Sequence, residues 1–139
     1  MSDQPHQAIG VVPHLVVSAG LAAIEFYRQA FGATELFRMM ATDGRRILHA
    51  TLAINGGQVY VCDDFPEYYD GQPAFPPGLP RSPVILHLAV EDADGTFGRA
   101  VSAGAIVRIP LQDMFWGDRY GQVQDPFGHL WSIASPVRG

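Results

Sequence analysis

The chain has 139 residues, 14 acidic side chains against nine basic ones, and a formal net charge of −5. All the basic residues are arginine; the absence of lysine excludes Schiff-base chemistry and disfavours binding to nucleic-acid phosphates. Cys62 is the only cysteine, so no intrachain disulfide forms, and no apolar run approaches the ~20 residues of a membrane span.

Apolar residues make up 47% of the chain and charged ones 17%, the make-up of one compact domain with a core. The opening MSDQPHQAIG has no basic stretch followed by an apolar one, so no signal peptide is expected, and the protein reads as cytoplasmic. Residues 1–8 read as frayed. Ile9 to Val17 reads as a strand, with Pro13 implying an edge position or an irregularity. Ser18 or Ala19 opens a helix in which Leu21, Ile24, Tyr27 and Phe31 recur at helical spacing and Glu25, Arg28 and Gln29 stay wet. Gly32 ends it, because glycine enters the left-handed cap conformation without a Cβ clash. Strands over Thr34 to Ala41, Arg45 to Ile54 and Gln58 to Asp63 follow, joined by turns at Asp43-Gly44 and Asn55-Gly56-Gly57.

Asp64 to Pro83 holds six prolines and the aromatics Phe65, Tyr68, Tyr69 and Phe75. Its aromatic content argues for an ordered, irregular connector rather than a flexible linker. The aromatics either wall a ligand pocket or pack at the module junction. Val84 to Glu91 then reads as a strand. Asp92 caps a helix carrying Phe97, Ala100 and Val101, and Gly104 stops it. Ala105 to Pro110 is a strand and Leu111 to Gly117 a loop. Arg119 to Gln124 and His129 to Ser135 are strands joined by the turn Asp125-Pro126-Phe127-Gly128.

The two halves repeat. His14 pairs with His87, Val17 with Val90, Ile24 with Phe97 and Tyr27 with Ala100 at a spacing of 73, and Gly32 with Gly104 at 72. Each half is a β-α-β-β-β unit too small to bury a core alone. A single domain closed by packing the copies together is expected, with a ligand site where they meet.

Two such modules, with FY inside the first helix and DPFGH before the last strand, resemble the vicinal oxygen chelate superfamily. Its members include glyoxalase I, bleomycin-resistance proteins, fosfomycin-resistance enzymes and extradiol dioxygenases. The strings AIEFYRQAFGA, HATLAINGG, VYVCDD and MFWGDRYGQVQDPFGHLWSIAS look like the PhnB-like branch. The resemblance implies an α+β fold: two tandem βαβββ modules forming a curled, cup-shaped mixed sheet with helices outside. It makes 1–139 a single domain, with module one about 9–64, a connector over 65–83 and module two over 84–139. It also implies a homodimer.

The resemblance further implies where a divalent metal would be held: His or Gln on each module's first strand and Glu on the last. Those positions fall here on Val12, Ile85, Ser132 and either Tyr60 or Cys62, none of them the usual ligand. His14 and His87 stand two residues beyond the first-strand positions, and alternation keeps them on the same strand face. His49 and Thr51 are expected on the cup face, opposite Ala50, Leu52 and Ile54. A histidine-only metal site from His14, His87 and His49 is one reading; polar cup residues bonded to each other, to water or to ligand is the other.

Tyr60 and Cys62 are expected to face the cup, since Val59 and Val61 suit the core better. Cys62 shows no partner base and reads as a small buried thiol. Trp116 either stacks on a planar ligand or lids the core, and Arg119 either grips an anion or joins Asp118 in bracing the loop. Trp131 reads as core, Asp125 as a turn stabiliser, and His129 as a strand-start residue. The leading expectation is a binding protein of the bleomycin-resistance kind, without the usual metal site and with no cofactor. It would hold an aromatic or amphipathic small molecule near His14, His49, Tyr60, Cys62, His87, Trp116, Arg119 and Ser132. The alternative is a metal-dependent lyase, isomerase or thiol transferase using His14, His87 and His49.

Overall fold

The computed structural model describes residues 10–74 and 82–137. They group into two compact units, one from Met1–Arg28 and Gly32–Gly78, the other from Gln29–Phe31 and Leu79–Gly139. The element order is β1 (His14–Val17), α1 (Gly20–Phe31), β2 (Thr34–Met40), β3 (Ile47–Ile54), β4 (Gly57–Asp63), a 3₁₀ turn (Pro66–Tyr68), β5 (Ile85–Ala89), α2 (Ala93–Ser102), β6 (Ile106–Asp113), β7 (Asp118–Gln124) and β8 (Leu130–Pro136). This is the expected α+β fold of two tandem βαβββ modules. One mixed sheet has the order β1-β4-β3-β2 and the other β5-β8-β7-β6, with β1 parallel to β4 and β5 parallel to β8.

Two strands differ from the sequence reading. The first begins only at His14, leaving residues 10–13 outside it, and Ile9 lies outside the described residues. β6 continues through Pro110 to Asp113 where a loop was expected from Leu111. As an edge strand it tolerates proline's missing N–H, and its pairing with β7 slips between Ile109 and Gln112.

The buried stripe of α1 is Ala23, Ile24, Phe26, Tyr27, Ala30 and Phe31, while Leu21, expected there, is 48% exposed. α1 ends at Gly32, whose φ of 68° is the left-handed conformation expected of it. The β3–β4 turn has positive φ at both Asn55 (47°) and Gly56 (84°), as a tight hairpin with the native twist requires. In α2, Ala93, Thr96 and Ala100 are buried, but Val101 is exposed. Asp92 caps this helix by accepting from the Gly95 N–H at 3.1 Å.

The first unit is tied together by Asp63, a buried carboxylate at the end of β4. Its Oδ1 accepts from the Gly20 N–H at 2.9 Å, at the start of α1, and its Oδ2 from the Ile47 N–H at 2.7 Å, at the start of β3. Charge-assisted bonds and the positive end of the helix offset the cost of burying the charge. The contact also dictates glycine at position 20: a Cβ there would lie 2.5 Å from Asp63 Oδ2. In the second unit the corresponding β8 residue is Ser135, whose hydroxyl accepts from the Ala93 N–H at 3.3 Å. Asp125 also acts locally: its carboxylate accepts from the Phe127 and His129 N–H groups and from Trp131 Nε1, at 2.9, 3.0 and 2.9 Å. It therefore stabilises its turn, as the sequence implied, and also anchors the buried Trp131.

Replacing Asp63 by Ala strands two buried N–H donors, and is expected to cost about 2–4 kcal/mol. Ser135→Ala, which removes one longer bond, should cost about 1 kcal/mol. Urea denaturation checks both. Equal losses would contradict the assignment of Asp63 as the stronger tie.

Candidate functional site

On the first sheet, strand alternation gathers four ring-bearing side chains on one face. His14 on β1 is paired in register with Tyr60 on β4, Tyr60 with Thr51 on β3, and Thr51 with Phe37 on β2. The His49 ring lies 4.7 Å from Tyr60 and 6.2 Å from both His14 and Phe37, and Tyr60 lies 6.0 Å from His14. His49 Nε2 also bonds Thr51 Oγ1 at 3.1 Å. Burial, reinforced by the nearby His14, holds His49 below the ordinary histidine pKa.

The next residues along β1 and β4 on this face, Val16 and Cys62, are paired in register and floor a cavity of about 320 Å³. Leu48, Phe65, Tyr68 and Tyr69 wall it, Gln72, Pro73 and Ala74 close one side, and Asp63 and Asp64 are the charged groups among the described lining residues. Leu48 reaches this face because the β2–β3 register shifts between Met39/His49 and Met40/Ile47, leaving Leu48 as the extra residue of a bulge. The bulge leaves Ile47 and Ala50 in the core while Leu48 stays exposed. Cys62 has its thiol pKa pushed up, chiefly by burial and further by Asp63 and Asp64, so it stays protonated at neutral pH.

The connector forms this wall because it is tied down. Asp64 Oδ2 accepts from the Ala74 N–H at 2.9 Å, closing the loop. Arg46 sits over the Phe65 ring at 4.2 Å, bonds Glu67 at 2.8 and 3.2 Å and Asp43 at 2.7 Å, and donates to the Asp64 carbonyl. Its pKa is raised by Glu67 and then Asp43, and Asp43 is held well below the usual carboxylate range, first by the Arg46 and Arg45 N–H groups. Over residues 64–74 the connector is therefore held in place, and Phe65, Tyr68 and Tyr69 wall a pocket; residues 75–81, Phe75 among them, lie outside the described residues.

The second unit repeats the rung with other chemistry. His87, Ser132, Gln122 and Ile109 are paired in register across β5, β8, β7 and β6. His87 Nδ1 and Ser132 Oγ are 2.7 Å apart, and Gln122 Nε2 donates to the Tyr120 hydroxyl at 2.8 Å. The Tyr120 ring stacks on His87 at 6.4 Å and meets Trp116 edge-on at 5.8 Å. Trp116 is half-exposed and Phe115 beside it is 97% exposed. Arg119 binds Asp94 at 2.8 and 3.0 Å and Asp113 at 3.1 Å. These bonds raise its pKa and lower that of Asp94. Arg119 therefore ties α2 to β6, where the brace considered for it was of the loop jointly with Asp118, and its guanidinium is already engaged.

Of the residues expected at a site, His14, His49, Tyr60 and Cys62 come together on the first sheet, and His87 and Ser132 bond in the second. Phe37, Leu48, Asp64, Tyr120 and Gln122 were not singled out. Tyr120 and Gln122 do carry a period-two signal across Gly121. Among the described residues no three His, Cys, Asp or Glu side chains are grouped to hold a metal ion. The positions where the resemblance places ligands carry Val12, Ile85, Ser132, Tyr60 and Cys62. These side chains do not fit a divalent metal of that kind.

A family model described as the Glyoxalase/Bleomycin resistance protein/Dioxygenase superfamily matches residues 10–133, and the chain belongs to that superfamily. The uncharacterized protein Mb0911c of Mycobacterium bovis is 50% identical over 126 residues, covering 91% of this chain and 82% of its own length. The solved structure of TioX from Micromonospora sp. ML1 has a TM-score of 0.68 at 30% identity, covering 94% of this chain and 98% of its own. FosX from Listeria monocytogenes, solved with Mn(II) and sulfate, has a TM-score of 0.67 at 13% identity over 94% of this chain and 95% of its own, a likeness of fold alone. No helix among the described residues is long and apolar enough to cross a membrane.

Burial also lowers the pKa of His129, with Asp125 opposing the shift. For both His49 and His129 the folded pKa lies below the unfolded value near 6.5. Their contribution is therefore whole above about pH 6.5 and is lost as pH falls through the folded values. The urea midpoint should drop on acidification from pH 7, with a shallower drop in His129→Gln. In proton NMR, His14→Ala should raise the His49 pKa. An unchanged value would contradict the coupling of the two rings.

Proposed function

We propose that this protein binds a small aromatic or amphipathic molecule on the first sheet, in the manner of a bleomycin-resistance protein rather than a metal-dependent enzyme. The observation that carries this is the 320 Å³ cavity, floored by Val16 and Cys62 and walled by Leu48, Phe65, Tyr68 and Tyr69. Its size and apolar lining suit one small ligand. Its thiol is held protonated, and the carboxylates beside it are bonded to backbone N–H groups. The lining thus favours holding a molecule over proton transfer. The ring cluster of His14, His49, Tyr60 and Phe37 continues the same face and offers stacking surface with polar edges.

The finer placement in the PhnB-like branch rests on the sequence strings; a Bacillus cereus PhnB protein at 13% identity shares the fold. Homodimerisation and a cytoplasmic location are parts of the same proposal. The metal-dependent alternative would need His14, His49 and His87 to serve where ordinary ligands are replaced.

N-phenyl-1-naphthylamine, a neutral dye that brightens in apolar sites, tests the reading. The wild type should bind it saturably at one site per chain. Leu48→Trp should abolish this by filling the cavity from its exposed rim. Tyr69→Ala should weaken it about three- to tenfold, the loss of one aromatic contact. Binding that Leu48→Trp leaves intact, or no saturable binding at all, would contradict the assignment.

A further inference from the structure

We infer that the first-sheet pocket selects a cationic ligand, an aromatic or alkyl-aromatic amine, over its neutral and anionic counterparts. This rests on the ligand-binding reading above and names the chemistry of the same site. Three observations carry it.

First, among the described residues lining the cavity the charged groups are Asp63 and Asp64, and none is basic. Asp63 spends its two oxygens on the Gly20 and Ile47 N–H groups, and its carboxylate stands at the pocket's edge. Asp64 has one oxygen bonded to the Ala74 N–H. An anion placed there would meet two carboxylates at close range, and the Arg46 guanidinium beside Phe65 is already paired with Asp43 and Glu67.

Second, the negative field reaches the pocket floor. Besides burial, Asp63 and Asp64 both raise the Cys62 pKa, because they disfavour a second negative charge at the thiol. The same field favours a positive charge.

Third, the walls are aromatic, and a ring face attracts a cation. Phe65 already does so: the Arg46 guanidinium lies 4.2 Å from its centroid. That guanidinium does not line the cavity, and its charge is answered by Asp43 and Glu67. The rings of Tyr68 and Tyr69 stand at the rim, mostly exposed, where an ammonium group could sit against them and remain partly hydrated. The overall charge of −5 draws cations toward the protein as well.

Three probes sharing one ring system separate this inference from the reading beneath it. They are 1-naphthylmethylammonium, 1-naphthalenemethanol and 1-naphthoate, each titrated calorimetrically into wild type and Asp64→Asn. The amide in that variant keeps an oxygen for the Ala74 N–H and removes the charge. The ammonium should bind about tenfold more tightly than the alcohol, as a partly desolvated cation over aromatic faces beside a carboxylate warrants, and the naphthoate weakest of the three. Asp64→Asn should bring ammonium and alcohol to within about threefold of each other, and added salt should weaken only the ammonium. If the alcohol binds as tightly as the ammonium, or the naphthoate binds best, the charge selection is wrong while the pocket stands. A preference that survives Asp64→Asn would overturn the role given to Asp64. If none of the three binds, the pocket reading falls together with the selection.

Discussion

The first unit depends on one buried carboxylate. Asp63 ends β4 and fixes, through two backbone N–H groups, where α1 and β3 begin. Burying a lone carboxylate costs several kcal/mol, so the arrangement persists only because both oxygens are bonded and the helix N-terminus faces the charge. The close approach leaves no room for a side chain at Gly20. The neighbouring chain inherits that fixed point. Asp64, the next residue, donates its N–H to the Val17 carbonyl and closes the connector loop through Ala74. Arg46, one residue before Ile47, holds the connector's Phe65 and Glu67. The core tie and the pocket wall are thus built from adjacent residues, Asp63 with Asp64 and Ile47 with Arg46.

The internal repeat reuses one scaffold for two chemistries. Equivalent rungs read Phe37, Thr51, Tyr60, His14 in the first sheet and Ile109, Gln122, Ser132, His87 in the second. The helix tie is a carboxylate in one copy and a hydroxyl in the other. The first copy therefore carries the carboxylate helix tie and the cluster of His14, His49, Tyr60 and Phe37, while the buried carboxylate of the second, Asp125, serves its turn. The second bonds its polar groups in pairs, His87 with Ser132 and Tyr120 with Gln122. An apolar, acidic pocket suits capture of a molecule by shape, stacking and charge. A bonded polar face suits orienting polar groups.

Much of this was legible in the sequence. The repeat, the glycine that ends α1, the Asp92 cap and the Asp125 turn are local chemistry, and each appears where its residues placed it. Alternation placed Tyr60 and Cys62 opposite Val59 and Val61. Leu48 was hidden because a bulge breaks the period-two rule there. Leu21 misled because an apolar residue at helical spacing need not lie within the buried arc that Ala23, Ala30 and Phe26 fill. Asp63 and Arg46 could not be singled out, because their partners lie 43 and 21 residues away. Arg119 left an anion grip and a loop brace both open because its type permits either; only the position of Asp94, 25 residues off, reveals the tie to α2.

The pocket has a built-in reporter, since Cys62 is the chain's only cysteine and lies on the cavity floor. The most direct measurement is the rate at which a small thiol reagent such as iodoacetamide alkylates Cys62 as N-phenyl-1-naphthylamine is added. A ligand seated between Val16 and the aromatic wall should slow alkylation in step with its occupancy, toward a low plateau at saturation. A rate that does not change while the dye binds would place the ligand elsewhere and contradict the account.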